Sequence, residues 1–451
     1  MIKRSIMAIT LGTSLVLSSA VVSAAPSLKD SNKGTQNQVL PYFVDEAKLP
    51  FEGLADYETK RYWGVHNGAG YRIEVPENWN GELLLYAHGY RGTGLELTVS
   101  NPSIREHYIK NGYAWAASSY RTNGYDVAQG VKDTHTLGTL FNGIAGNPTK
   151  TYITGHSMGG HVTAVLSEQF KSSYDGALPM CGVTGDTELF DFFTDYGLVA
   201  QSLTGVEKEA QTFPADEEYF LKTVPEMKAK LGINGILTED GQALKAVTMN
   251  LTGGQRPLFD AAFESYKNFL FDRMPTDPSF LVAPKNVVNT TDSVYQIDKD
   301  MGSLSADEQE LNDSVQRITA HPSAKHKGLT GVPKVEGNHK IPMISLHDIG
   351  DLYVPFHMQQ LHAERAKEKG NSDLLVTRAI RGVGHCDFTP QEEQEAFTDL
   401  VQWVEEGIKP DGDDVLNPAV VADERFGTKF TRTFRAFDPL KYKSQSSDQA
   451  S

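Results

Sequence analysis

A glycine-flanked serine is the feature that most limits how this chain can fold. The segment Gly155-His156-Ser157-Met158-Gly159-Gly160 contains the pattern G-x-S-x-G. A serine in this pattern sits on a sharp, strained turn from a strand into a helix, and its neighbours must be small to avoid clashes. Residues 151–154 before the turn have the pattern of a buried strand, and residues 163–170 after it that of a helix. The sequence therefore predicts a strand, a turn and a helix, with Ser157 as a nucleophile.

Strand and helix patterns alternate on both sides of this turn. Apolar strand patterns occur at 72–75, 83–87, 113–117, 151–154, 176–180, 341–346 and 374–380. Helical patterns occur at 104–110, 127–141, 163–170 and 390–406. The alternation predicts an α/β fold with a mostly parallel central sheet and helices on both faces.

The alternation stops between residues 183 and 340, where helical patterns dominate. These patterns cover 188–198, 217–231, 256–273 and 305–319. We expect a large helical cap at 183–340, inserted between a first core part at 41–182 and a second at 341–441. The cap is expected to form the roof of the pocket at Ser157, and its aromatic residues are candidates for lining that pocket. Their helical spacing is more typical of a core than of a binding site; they are Phe190, Phe192, Phe193, Tyr196, Phe259, Phe263 and Tyr266.

The first 24 residues have the pattern of a cleaved signal peptide. Two basic residues precede an apolar stretch, and Val22-Ser23-Ala24 offers small residues for cleavage after Ala24. The sequence thus predicts a secreted or periplasmic protein. The polar composition of residues 25–40 predicts a flexible leader. The polar composition of residues 442–451 predicts a disordered tail.

The charge balance makes some partners improbable. The chain has 42 basic and 58 acidic residues, a formal net charge of −16. This charge repels nucleic acids and anionic membranes. After the signal segment no stretch approaches the roughly 20 apolar residues of a membrane-spanning helix. We expect no nucleic-acid partner and no stable membrane insertion, and the sequence leaves the oligomeric state open.

A serine nucleophile needs a base, and the base needs an acid to orient it. With this kind of turn the acid and the histidine follow the serine at the ends of later strands. Asp351 follows the apolar strand at 341–346, with Asp348 as a less favoured alternative, and His385 follows the last strand in a glycine-flanked loop. The predicted catalytic triad is Ser157, Asp351 and His385.

The negative charge that develops on the substrate oxygen needs two main-chain N–H donors. We assign one to the amide of Met158, directly after the nucleophile. The loop His88-Gly89-Tyr90-Arg91-Gly92 follows an early strand, and the second donor is assigned to the amide of Tyr90.

These motifs resemble the α/β-hydrolase superfamily of serine hydrolases over about residues 60–410, apart from the cap. The details are similar to exported esterases and lipases, near the feruloyl-esterase and prolyl-oligopeptidase-like branches. The resemblance implies cleavage of a small or polymeric carboxylic ester through an acyl-enzyme on Ser157. An amidase or peptidase with the same triad is the alternative, and an acyltransferase or a non-catalytic binding protein is less favoured.

The two cysteines and the histidines complete the set of candidate groups. Tannases and feruloyl esterases often join a cysteine before the serine to one after the histidine; Cys386 fits the second position, but His156 occupies the first. We expect Cys181 and Cys386 to be buried thiols, with a disulfide between them as the alternative. Four histidines show no metal-ligand spacing, so no metal and no cofactor are predicted; they are His135, His347, His357 and His362.

Overall fold

The structure, a computed structural model, describes residues 41–276, 286–298, 300, 302–324, 328–329 and 331–441. The predicted signal peptide at 1–24, the leader at 25–40 and the tail at 442–451 lie outside the described residues. Export and the cleavage after Ala24 therefore stay predictions.

Strands in the described residues form one large sheet and one short pair. The strands are β1 (Phe43–Val44), β2 (Thr59–His66), β3 (Ala69–Pro76), β4 (Glu82–Ala87), β5 (Glu96–Leu97), β6 (Ala114–Ser118), β7 (Lys150–His156), β8 (Gly176–Met180), β9 (Met343–Asp348) and β10 (Leu375–Ile380). β1 pairs with β5, and the other eight form a sheet in the order β10-β9-β8-β7-β4-β6-β3-β2. β3 is antiparallel to both neighbours, and all other pairs are parallel. The prediction of a mostly parallel sheet is confirmed.

Helices connect these strands. They are α1 (Arg105–Lys110), α2 (Val127–Ala145), α3 (Met158–Gln169), α4 (Glu188–Leu203), α5 (Val224–Lys230), α6 (Glu239–Leu251), α7 (Phe259–Leu270), α8 (Ala306–Ser314), α9 (His357–Glu368), α10 (Pro390–Glu406) and α11 (Pro418–Val421). α10 begins and ends as its sequence predicts, because Thr389 forms a capping box with Glu392 and Gly407 ends the helix in the left-handed region. Across the described part of the chain, no helix has the length and apolarity needed to span a membrane.

Alternate residues of the central strands pack on opposite faces of the sheet. In β4, Leu83 and Leu85 join the cluster that contains residues of α2 and α3. Leu84, between them, joins a second cluster that includes Phe397 of α10 and Tyr108 of α1. Burial on both faces explains why this strand is continuously apolar rather than alternating.

Helices α4 to α8 occupy the chain between β8 and β9, the interval in which the sequence predicted a cap. α4 is buried over almost its whole length, from Leu189 to Gln201. The helix predicted at 256–273 begins only at Phe259, because Leu258 has a positive φ of 66° that a helix interior does not allow. The pattern at 217–231 is divided into a π turn at Tyr219–Thr223 and α5. The sequence reasoning did not identify α6 or α9.

Candidate active site

Ser157 lies on a sharp turn between β7 and α3. Its backbone has φ 59° and ψ −122°, a conformation that non-glycine residues rarely adopt. A Cβ at Gly155 would lie 2.4 Å from the carbonyl oxygen of Gly159, and a Cβ at Gly159 would lie 2.0 Å from that of Ala87. Only glycine fits at either position, which is the steric reason for the G-x-S-x-G pattern.

His385 connects the serine to a buried carboxylate. Its Nε2 lies 2.8 Å from Ser157 Oγ, and its Nδ1 lies 2.6 Å from Asp351 Oδ2. The second oxygen of Asp351 accepts hydrogen bonds from the backbone N–H groups of Tyr353 and Val354, at 2.8 and 3.0 Å. Asp351 is fully buried, while His385 is partly exposed. The structure thus brings the three residues of the predicted triad into one hydrogen-bonded row.

The order of the strands, together with the positions of Ser157, Asp351 and His385 along them, identifies the fold. The serine follows the fifth strand of the large sheet, the acid follows the seventh, and the histidine follows the eighth, all at the carboxyl edge. The chain is an α/β-hydrolase by fold.

Asp348, the alternative acid, has no hydrogen bond with His385 among the described residues. Its Oδ2 accepts the backbone N–H of Asp387 at 2.9 Å, and its Oδ1 is buried without a hydrogen-bond partner among the described residues. Burial raises the pKa of Asp348 well above its usual value, and the nearby carboxylates of Asp351 and Asp387 act in the same direction. A neutral carboxyl group suits a position next to the charged Asp351 better than a second anion does.

The two predicted oxyanion donors belong to segments that meet at Ser157. Met158 is the first residue of α3, so its N–H has no acceptor within the helix. Gly89 lies against the nucleophile, since a Cβ there would be 3.2 Å from Ser157 Cβ. The main chain of Tyr90 follows directly, and its side chain faces the cavity above the serine.

The two cysteines form a disulfide, so the expectation of free thiols was wrong. Cys181 and Cys386 have Cα atoms 5.3 Å apart. Their strands are separated in the sheet by β9, which made the pairing look unfavourable. The loop after β10 crosses the end of β9 so that His385 can reach Ser157, and this path carries Cys386 to the end of β8.

A cavity of about 220 Å³ lies over Ser157 between the core and the inserted helices. Core residues Tyr125 and Tyr353 form part of its wall, and α4 supplies Phe190 and Phe193. Phe190 and Phe193 also belong to the main hydrophobic cluster, so these two cap aromatics are core residues that at the same time line the cavity. Helical spacing does not distinguish a side chain that packs under the helix from one that closes a cavity.

Arg273 is a charged cavity residue that the sequence did not predict. Its guanidinium carbon lies 4.4 Å from the ring centre of Phe269, and its Nε is buried without a hydrogen-bond partner in the described part of the chain. Burial raises the pKa of the phenol groups of Tyr90 and Tyr353, and the positive charge of Arg273 acts in the opposite direction. No sequence pattern marks Arg273, because it follows a helix whose packing against the core sets its direction.

The two histidines close to Ser157 in the sequence lie outside this cavity. His156 contacts Tyr86 Oη and Glu393 Oε1, each at 3.4 Å. His161 is fully buried and lies 2.9 Å from Tyr125 Oη and 2.7 Å from the carbonyl oxygen of Pro333. Both are held by protein groups away from the reacting atoms.

Comparisons with known proteins give hydrolases of several kinds. No family model matches the chain. An o-phthalyl amidase of Xanthobacter agilis is 25% identical over 426 residues, which cover 82% of this chain and 93% of the relative. Feruloyl esterase B from Aspergillus oryzae is 15% identical with a TM-score of 0.47, over 82% of this chain and 86% of that one. An acylaminoacyl peptidase of Pyrococcus horikoshii is 12% identical with a TM-score of 0.38, over 80% of this chain and 43% of that one.

Proposed function

We propose that this chain is a serine hydrolase that transfers an acyl group to water through an acyl-enzyme on Ser157. The observation that carries the proposal is the continuous contact from Asp351 through His385 to Ser157 Oγ, at 2.6 and 2.8 Å. Such a row is the arrangement that turns a weakly nucleophilic hydroxyl into an attacking group.

Each side chain of the row has a separate task. His385 Nε2 accepts the proton of Ser157 as Oγ attacks the substrate carbonyl carbon, and it then donates that proton to the leaving group. Asp351 accepts the N–H at Nδ1, which fixes the tautomer and stabilises the imidazolium ion. The amides of Met158 and Tyr90 donate to the oxygen that becomes negative. Water then repeats the sequence on the acyl-enzyme, with His385 as its base.

A carboxylic ester is the first candidate substrate. The cavity over Ser157 is lined mainly by apolar and aromatic side chains, among them Val183, Leu189 and Phe193, which favours an apolar or aromatic acyl group. Export remains part of the proposal, and the Cys181–Cys386 disulfide is of the kind that persists in oxidising compartments.

An amide is the second candidate, and one comparison favours it. A relative of this chain is an o-phthalyl amidase. An o-phthalyl group is an aromatic acyl group with a carboxyl group on the neighbouring ring carbon. Arg273 places a guanidinium in the aromatic cavity, where it can pair with such a carboxylate.

A matched substrate panel tests both candidates. We expect p-nitrophenyl benzoate to be cleaved with a higher kcat/KM than the p-nitroanilide of benzoic acid. A higher kcat/KM for the anilide would replace the ester by the amide as the substrate class.

The same panel tests whether Arg273 recognises a carboxylate on the acyl group of the substrate. A 3-carboxybenzoyl ester is used, because a 2-carboxyl group attacks its own ester. A charge-assisted hydrogen bond contributes about 1.5–3 kcal/mol, so Arg273→Met should lower kcat/KM for this ester by about 10- to 100-fold. The plain benzoate should change far less, and Lys222→Met, on an exposed residue paired with Glu218, serves as the control. Equal losses for both esters would show that Arg273 does not recognise a carboxylate.

A further inference from the structure

Three buried side chains outside the active site converge on one point. Glu168 lies near the end of α3, His362 lies on α9, and His339 lies on the segment that leads from the inserted helices into β9. One oxygen or nitrogen of each lies within 4.8 Å of the others. Glu168 is 7% exposed, and the two histidines are 0% exposed. The cluster is closed to solvent and joins three separate elements.

The two imidazoles lack well-formed hydrogen bonds to the described residues. The one polar contact is a weak backbone interaction of His339 with Leu374. Even so, none of the four ring nitrogens of His339 and His362 has a partner of normal geometry among the described residues. Buried polar groups are nearly always paired, so four unpaired nitrogens in one place need an explanation. Their ring centres are 5.8 Å apart and the planes meet at 73°, so the rings are not stacked on each other.

Glu168 is oriented by the main chain. Its Oε2 accepts the N–H of Glu336 and its Oε1 accepts that of Asn338, each at 3.0 Å. The backbone of Gly337 interacts with the same carboxylate. A carboxylate has about four acceptor positions, so about one stays available after these three contacts. Hydrogen bonds of this kind to a ligating carboxylate are typical of metal centres, because they fix its direction.

The segment that carries His339 has little room to move away. A Cβ at Gly337 would lie 2.3 Å from the backbone N of Ala366, one turn beyond His362 on α9. The backbone of Asn371 donates to the carbonyl oxygen of Ala366, and its side chain donates to that of Gly337 at 2.7 Å. The segment and α9 are therefore held together next to the cluster, where Gly337 meets Ala366 and Asn371.

We propose that Glu168, His339 and His362 bind a divalent zinc ion that connects α3, α9 and the segment returning from the inserted helices. Two imidazole nitrogens and one carboxylate oxygen are a ligand set that zinc prefers, with water as a fourth ligand. Because zinc lies about 2 Å from each ligand atom, the ligand atoms of a bound ion are roughly 3.3 Å apart, a spacing inside the 4.8 Å limit of this cluster. The sequence predicted no metal, since the three residues are far apart along the chain and share no local spacing.

The ion has a structural role in this arrangement. Glu168 lies eleven residues after Ser157, which corresponds to roughly 16 Å along the axis of α3. The metal is therefore away from the reacting serine. It fixes the point where the chain leaves the inserted helices and enters β9.

Zinc content of the full-length protein tests the proposal. After stripping with dipicolinate and dialysis against micromolar zinc, the wild-type protein should hold about one zinc ion per chain by mass spectrometry. Its Tm should fall on stripping and rise again with zinc. His362→Gln should hold less than about a tenth of that zinc and lose the zinc-dependent rise in Tm. His357→Gln, on the same helix but outside the cluster, should behave as the wild type.

Two results would overturn the proposal. One is a wild-type protein that holds no more zinc than His362→Gln and has a Tm independent of zinc, which would indicate a buried water at most. The other is equal zinc binding by the two proteins, which would place the ion elsewhere. If His362→Gln does not fold, cobalt(II) titration of the wild type replaces it. Visible d–d bands of a site with nitrogen and oxygen ligands should appear at one equivalent, and their absence counts against the site.

Discussion

The sheet edge around Ser157 and the inserted helices above it are held by different kinds of contact. At the edge, each reacting group is fixed by short polar contacts and by glycines that no other residue can replace, such as Gly155 and Gly159. The inserted helices are held by apolar packing around α4, which also buries two carboxylates, Asp191 and Asp195. The sheet edge and the inserted helices should therefore control different properties of the protein. Changes at the edge should affect the chemical step, whereas changes in the inserted helices should affect substrate choice and stability.

The largest expected effect is at the acid. Asp351→Asn keeps the shape of the side chain but removes the charge that orients and stabilises the protonated His385. We expect kcat to fall about 1,000- to 10,000-fold, as such a change does in other triads. Stopped-flow or steady-state assays with an activated ester measure it.

Asp348→Asn is the matched control for this change. The raised pKa of Asp348 favours a neutral carboxyl group, which an amide resembles. We expect kcat to change less than about tenfold. A loss as large as that of Asp351→Asn would show that the two carboxylates share the task.

The next effect concerns the disulfide. Replacing Cys181 and Cys386 together by serine should lower the free energy of unfolding by about 2–4 kcal/mol. Because Cys386 adjoins His385, kcat should fall as well, by roughly tenfold, through poorer placement of the imidazole. Urea unfolding and kcat are measured on the same preparations. Unchanged kcat in a destabilised protein would limit the disulfide to a structural role.

The triad and the disulfide show which features of the site local sequence patterns could predict and which they could not. The turn at Ser157, Asp351 after its strand and His385 after the last strand were predictable, because each depends on residues within a few positions of it. The disulfide was not, since it depends on how the loop after β10 crosses β9. Arg273 and the cluster of Glu168, His339 and His362 depend on packing between distant segments, for which the chain carries no local pattern.

A smaller effect is expected in the cavity wall. Phe193→Leu should raise KM for aromatic esters several-fold, because the ring lines the cavity and packs against Tyr353 with ring centres 6.4 Å apart. Phe192→Leu changes the neighbouring residue of α4, which does not line this cavity. Initial-rate kinetics compare the two variants. Similar KM values would show that Phe193 contributes only to packing.

A pH dependence of stability is expected in the inserted helices. Burial raises the pKa of Asp191 to about 9, and its Oδ1 accepts the N–H of Asn289. In the unfolded chain this pKa is about 3.9. Between these values the folded form holds a proton that the unfolded form has lost, so stability falls as pH rises and levels off above about pH 9. Asp191→Asn should therefore gain in Tm relative to the wild type from pH 5 to pH 9. A constant difference would contradict the raised pKa.

Covalent labelling of Ser157 tests the central claim most directly. A fluorophosphonate probe reacts only with a serine that a neighbouring base activates. The folded wild-type protein should take up one label per chain, and peptide mapping should place it on Ser157. Ser157→Ala should take up none, and Asp351→Asn should react far more slowly than Asp348→Asn. A folded wild-type protein that is not labelled, or a Ser157→Ala variant labelled equally well, would contradict the account.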